Sequence, residues 1–179
     1  RSTLFPYTTL FRSSYIGHDA IYWIEARHND HLMTNLSTNY EWNLKKGVKW
    51  NVGMQLLSNR GSHYKTMEDL LGGQYFHNVN TYLVGDFQET STEAMYDVNH
   101  GHQKIIEGDR FAYDYDIWNQ DIKLWTSLNM DKDILHNFIA AKIGGRRMWR
   151  EGFMRNGLFQ DNSYGKSKKA HFLDGGLKM

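Results

Sequence analysis

The sequence predicts an all-β fold, a fragment of an antiparallel transmembrane β-barrel with about six strands and long extracellular loops. Three observations predict it. One stretch alternates apolar and polar residues over an unusual length, a tight turn returns a matching segment, and the connections alternate between short and long.

The first segment, Arg1 to Ser13, reads RSTLFPYTTLFRS and is similar to the translation of a short-read sequencing adapter. It lacks the basic start, continuous apolar stretch and small-residue cleavage site of a secretory signal. It is set aside, leaving 14–179 as one partial barrel, and the missing initiator Met implies that the true N-terminus lies upstream. Ala20 to Arg27 alternates next, with Tyr22 and Ile24 opposite Glu25 and Arg27.

Leu32 to Lys45 is the clearest element. Leu32, Leu36, Tyr40, Trp42 and Leu44 fall on one face, and Met33, Asn35, Asn39, Glu41 and Lys45 on the other. Strict period two marks a strand with one apolar and one wet face. Fourteen residues at ~3.4 Å each give roughly 48 Å, which at a tilt of about 45° crosses a hydrocarbon core of ~30 Å. Val48 to Leu57 repeats the pattern. A three-residue loop of Lys45, Lys46 and Gly47 places Leu44 opposite Val48 and Trp42 opposite Trp50, whereas a two-residue turn would misalign every face. In a barrel, Leu36, Tyr40, Trp42, Trp50, Val52 and Met54 face lipid, while Asn35, Asn39, Glu41, Asn51 and Gln55 face the lumen.

Asn59 to Arg110 reads as a long loop with a short helix near Tyr64 to Leu71, ending at Gly72 and Gly73. Phe111 to Leu128 is a strand whose apolar phase switches near Ile117 and Trp118, predicting a bulge there. Asn129 to Asp133 is a short turn, Ile134 to Ile143 a strand apolar on both faces, Arg146 to Ala170 a second long loop, and Phe172 to Met179 a last strand. Short turns alternating with long loops fit barrel asymmetry.

Composition excludes several classes. Without Arg1 and Arg12 the 21 basic residues become 19, against 20 acidic, so nucleic acid is not an expected partner. Cysteine is absent and the one proline is Pro6, which excludes disulfides and thiolate metal sites and is compatible with uninterrupted strands. No apolar run is long enough for a membrane-spanning helix.

Side chains that carry chemistry are scattered. His63, His77, His100 and His102 fall in the first long loop without ligand spacing, so no metal is expected. Asp114, Asp116 and Asp121, with Glu107 and Asp109, lack calcium-loop spacing. Arg146, Arg147, Arg150 and Arg155 either attract an anionic substrate or form a solvated strand end. Gly144-Gly145 and Gly175-Gly176 lack the strand-to-helix context of phosphate loops. No nucleophile–base arrangement is visible, so no enzyme and no cofactor are expected.

Met67-Glu68-Asp69-Leu70-Leu71-Gly72-Gly73, Glu107-Gly108-Asp109 with Tyr113-Asp114-Tyr115, Arg155-Asn156-Gly157, Asp161-Asn162-Ser163-Tyr164-Gly165 and Phe172-Leu173-Asp174-Gly175-Gly176-Leu177-Lys178 resemble phrases of TonB-dependent receptors with an N-terminal carboxypeptidase-regulatory-like domain. The resemblance spans about Tyr64 to Met179. It implies a Gram-negative outer-membrane location and a role in the wall and loops of a receptor importing a siderophore, a glycan or another scarce nutrient. Its implied partners are outer-membrane lipid, the TonB complex through a missing N-terminal region, a small nutrient ligand and a surface lipoprotein. Tyr64, Tyr75, Phe76, Tyr82, Phe153, Phe159 and Tyr164 are the expected ligand contacts, because loop aromatics stack on sugars or siderophores, though they equally pack loops together. The alternative is a soluble extracellular β-domain that binds carbohydrate.

Overall fold

The computed structural model describes residues 15–16, 19–83, 91–132 and 134–179. The adapter-like segment Arg1 to Ser13 lies outside them. In chain order the elements are β1 (Tyr15–Ile16), β2 (Asp19–Ala20), β3 (Ile24–Lys45), β4 (Val48–Asp69), β5 (Phe76–His77), two 3-10 turns (Thr92–Ala94 and Val98–His100), β6 (Lys104–Ile105), β7 (Arg110–Lys132), β8 (Leu135–Gly152), one α-turn (Gln160–Ser163), β9 (Gly165–Lys166) and β10 (Ala170–Lys178). The main sheet has the order β10-β8-β7-β4-β3, with β9 on the end of β8; β1 pairs with β2, and β5 with β6.

Strands are longer than the alternation alone implies. β4 runs through the expected helix at Tyr64 to Asp69, and β8 continues into the second expected loop. Polar and aromatic pairs extend the ladder where apolar alternation fades. His28 stacks on Tyr64 with ring centroids 4.4 Å apart, and Lys65 reaches Glu25 at 2.9 Å.

β3 extends through Lys45, so Lys46 and Gly47 alone lie between the strands, while the cross-strand contacts keep the expected parity. Gly47 has φ +77°, Trp42 stacks on Trp50 at 6.3 Å, and Gln55 donates to Asn35 at 3.1 Å. Residues of like parity therefore share a face of β3 and β4. The phase switch in β7 needs no bulge at Ile117. Ser62 bonds Asp116, Arg60 lies over Trp118, and Gln120 bonds Ser58, all in one unbroken alternation. The environment changes along β7, not the pairing. Its irregular residue is Ala112, at φ +65°.

The chain divides into two compact units. The first comprises 1–30, 62–116 and 150–167, the second 31–61, 117–149 and 168–179. Within the first, Ala20, Met67, Leu70, Phe76, Ile105, Phe111 and Ala112 form a buried cluster, with Trp23, Tyr96 and Tyr113 against it. Trp23 meets Phe76 at 4.3 Å and Phe76 meets Phe111 edge-on at 5.8 Å. Several phrases noted in the sequence are pivots of this packing. The Gly108 amide donates to the Met67 carbonyl at 2.7 Å, and Gly108 sits at φ +90°. The Gly157 amide donates to the Met95 carbonyl at 3.0 Å.

The second unit is a sheet one layer thick. From Leu32 to Lys45 every residue is exposed, and its apolar residues, including Leu36, Tyr40, Leu124, Ile143 and Leu173, stand exposed on one face.

These strands correct the barrel expectation. Closure requires the first and last strands to pair, whereas the order ends at β10 on one side and β3 on the other. The fold is all-β with open sheets. Among the described residues no lumen is enclosed, so Asn35, Asn39, Glu41, Asn51 and Gln55 lie on an open face, and Leu36, Tyr40, Trp42, Trp50, Val52 and Met54 are not the outer belt of a barrel wall. Alternation reports two unlike faces of a sheet; closure depends on strand number and shear, which alternation does not encode. No helix among the described residues is long and apolar enough to cross a membrane.

Candidate functional site

The polar face of the second unit carries a cleft in two adjoining parts that meet at Gly144. Alternation on β7 brings Asp121, Lys123 and Trp125 to this face, and on β8 Lys142, Gly144, Arg146 and Met148. β10 adds Phe172 and Asp174, because Phe172 pairs with Arg146 and Asp174 with Gly144 in the ladder. The first part of the cleft holds about 340 Å³, between Asp121, Lys123, Arg146, Met148, Phe172 and Asp174. An adjoining part of about 260 Å³ shares Lys123, Gly144 and Asp174 and reaches Lys142 and Trp125. Glycine opens this floor. A Cβ on Gly144 would stand 3.3 Å from the Lys123 Cγ, so the lysine stem lies across the glycine.

A second glycine seats the tryptophan. A Cβ on Gly53 would fall 2.1 Å from the Trp125 ring, so the indole lies directly against the β4 backbone. Its Nε1 donates to the Asn39 Oδ1 at 3.3 Å. Asn35 with Gln55, and Asn51 with Ser127, surround it with amide and hydroxyl groups.

Two ion pairs line the cleft. Arg146 donates from Nε and Nη2 to the two Asp121 oxygens at 2.6 and 2.7 Å, a bidentate arrangement. Lys142 donates to Asp174 at 2.9 Å. The Arg146 hydrogen bonds hold the Asp121 carboxyl below the usual carboxylate range, against the opposing effect of burial. The Lys142 hydrogen bond does the same for Asp174. Both acids are ionised at neutral pH.

The opposite face holds a larger depression of about 670 Å³ around Gly145, with Leu36, Leu56, Ile122 and Leu173 among its lining residues. Arg147 at its rim donates to Gln120 at 2.6 Å. Leucine and isoleucine side chains dominate its floor, and Phe172, Asp121 and Arg146 border it as well as the first part of the cleft.

The seven aromatic residues expected to contact ligand all fall in the first unit, each with its own surroundings. Phe76 is buried in the core cluster, with its ring packed on Trp23 and Phe111. Tyr64 lies between His28 and the Arg110 guanidinium, 3.7 Å from its centroid, and donates to Asp30 at 3.0 Å. Lys104 stands 4.0 Å over Tyr75, and Arg155 stands 5.1 Å over Tyr164. Tyr82, Phe153 and Phe159 are exposed.

The other titratable residues singled out in the sequence are dispersed. Among the described residues no group of three His, Asp or Glu side chains converges as a metal site. His63 stacks on Tyr115, His77 approaches Asp19 at 3.5 Å, and His100 bonds Asp97 at 2.8 Å. Asp114 pairs with Arg110 and Asp116 with Ser62, while only Asp121 and Arg146 enter the cleft.

Sequence reasoning missed Trp125 and Phe172. Trp125 stands on the polar face of its strand, out of phase with the apolar neighbours that drew attention. That misplacement, opposite a glycine on the neighbouring strand, is the signal that marks it.

No family model, no curated protein and no solved structure matches this chain. With the open sheet, this overturns the TonB-dependent receptor assignment. The outer-membrane location, the role in a barrel wall importing a nutrient, and the partners inferred from it (outer-membrane lipid, the TonB complex, a nutrient ligand, a surface lipoprotein) fall with it.

Proposed function

We propose that this chain is a β-domain that binds carbohydrate along the polar face of its second unit. One observation carries the reading: Phe172 and Trp125 line two adjoining depressions that share Lys123, Gly144 and Asp174 and are flanked by two ion pairs. A sugar ring has an apolar C–H face and an edge of hydroxyls. The aromatic rings take the face, as aromatic side chains with large apolar area do in ligand sites. The Asp121 and Asp174 carboxylates accept from hydroxyls, and Arg146, Lys142 and the Asn39 amide donate to them. Each cleft part has the scale of a sugar unit or two, so the ligand is a short glycan or a stretch of a longer one.

The reading is binding without turnover. Glycoside hydrolysis needs one carboxylic acid with a raised pKa to protonate the leaving oxygen. Here Asp121 and Asp174 are both held ionised by their cations.

Calorimetric titration with a glycan panel tests the proposal. W125A and F172A should each weaken binding about tenfold, equivalent to ~1.4 kcal/mol, with circular dichroism unchanged. Wild-type protein that binds no glycan, or variants that bind as well as wild type, would overturn it.

A further inference from the structure

We infer that the glycan is acidic, carrying a carboxylate on its sugar units, and that Lys123 recognises that group. The inference rests on the carbohydrate-binding reading and deepens it. The cleft contains three cations, Lys123, Arg146 and Lys142, and two carboxylates, Asp121 and Asp174. Arg146 is committed to Asp121 through two hydrogen bonds, and Lys142 to Asp174 through one. Lys123 lies between these pairs. Both carboxylates feel its charge across space, while their side-chain hydrogen bonds go to the other two cations. The polar groups at the Trp125 end, Asn39 with Asn35 and Gln55, are neutral amides. The cleft therefore keeps one positive charge that its own residues do not neutralise.

A neutral sugar laid over this floor would take water from the ammonium and give only hydroxyls in return. A uronate supplies the missing charge with the right geometry. Its carboxylate projects from the ring edge while its C–H face remains available for stacking. The Lys123 stem lies across Gly144, between the part of the cleft that holds Phe172 and the part that holds Trp125. Lys123 lines both parts of the cleft, so its flexible side chain is within reach of a sugar stacked on either ring. Lysine suits this role, being a compact point charge on a flexible stem with three donors.

Matched ligands test the inference. Oligogalacturonate, oligomannuronate and oligoglucuronate are each titrated calorimetrically beside their methyl esters, which keep the ring and remove the charge. At least one acid should bind ten or more times more tightly than its ester, and the advantage should shrink as salt rises. K123Q, checked for fold by circular dichroism, should bring acid and ester within about twofold, and K123R should restore much of the preference. W125A should weaken both forms. Equal affinity for acids and esters, or a preference that survives in K123Q, overturns the uronate inference and leaves the carbohydrate reading standing. If neither form binds, and a wider panel of neutral and acidic glycans also fails, the carbohydrate reading has failed and the inference with it.

Discussion

At the scale of single residues, glycines decide where the candidate site is. Gly53 lets the Trp125 indole rest on the neighbouring strand, and a side chain there would overlap ring atoms at 2.1 to 2.4 Å. The ring is rigid, so it must move away from the strand. Gly53→Val should cost about 1–3 kcal/mol through overpacking and should weaken glycan binding as W125A does; thermal denaturation and titration check the two effects. Asp121 gives a pH prediction. Its folded pKa lies below the ordinary value of 3.8, chiefly because Arg146 hydrogen-bonds it. The unfolded chain therefore takes up the proton first as pH falls. The stabilisation is fully present above the unfolded pKa and is lost as pH drops through the lowered folded value. Urea midpoints measured from pH 6 to pH 2 should fall more steeply at the acid end for wild type than for D121N, and parallel curves would contradict it.

At the scale of elements, the β3–β4 hairpin is set by one turn. Gly47 occupies the left-handed region at φ +77°, and its carbonyl accepts from the Asp131 amide at 2.7 Å. A Cβ there would fall 2.1 Å from the Asp131 carbonyl oxygen. Gly47→Ala thus combines a disfavoured backbone with a backbone collision and should cost more than the roughly 1 kcal/mol of a strained left-handed alanine alone. An unchanged melting temperature would show that the turn does not hold the hairpin. Elements at the ends of ladders behave differently. β10 pairs with β8 over nine residues, all exposed, so its order depends on backbone hydrogen bonds and on pairs such as Lys142 with Asp174.

At the scale of the whole molecule, burial is uneven. Every buried hydrophobic residue among those described belongs to the first unit, with Phe111, Met67 and Ile105 the largest that are fully enclosed. Phe111→Ala should destabilise that unit by about 3–5 kcal/mol, the usual range for a large aromatic removed from a core. Hydrogen exchange should be slowest around Met67, Ile105 and Phe111 and fastest in β10, since local opening is easiest where few apolar contacts are buried. Uniform exchange across both would contradict this division. The exposed apolar face of the second unit adds a further expectation. Contiguous apolar surface is uncommon on monomeric proteins, so the chain should bind an apolar fluorescent dye, and Leu36→Glu with Leu173→Glu should reduce that binding.

The sequence by itself determined the strands, their faces and one register. Leu32 to Leu56 carried this information because period two and a glycine turn are local properties, readable without knowing what lies across the sheet. It also made the second unit two-faced, with Asn39 and Gln55 on one side and Leu36 and Val52 on the other. Tertiary structure decided the rest. Closure depends on which edges meet, so a pattern equally suited to a barrel and an open sheet led to the wrong expectation. The extension of β4 through Tyr64 came from cross-strand partners, not from hydrophobic period. Phe76 looked like a loop aromatic and became core because Trp23 and Phe111, distant in sequence, close around it. The cleft was invisible for the same reason: Gly53 with Trp125, Asp121 with Arg146, and Phe172 beside Gly144 become neighbours only when four strands align, and nothing local in the chain specifies that alignment.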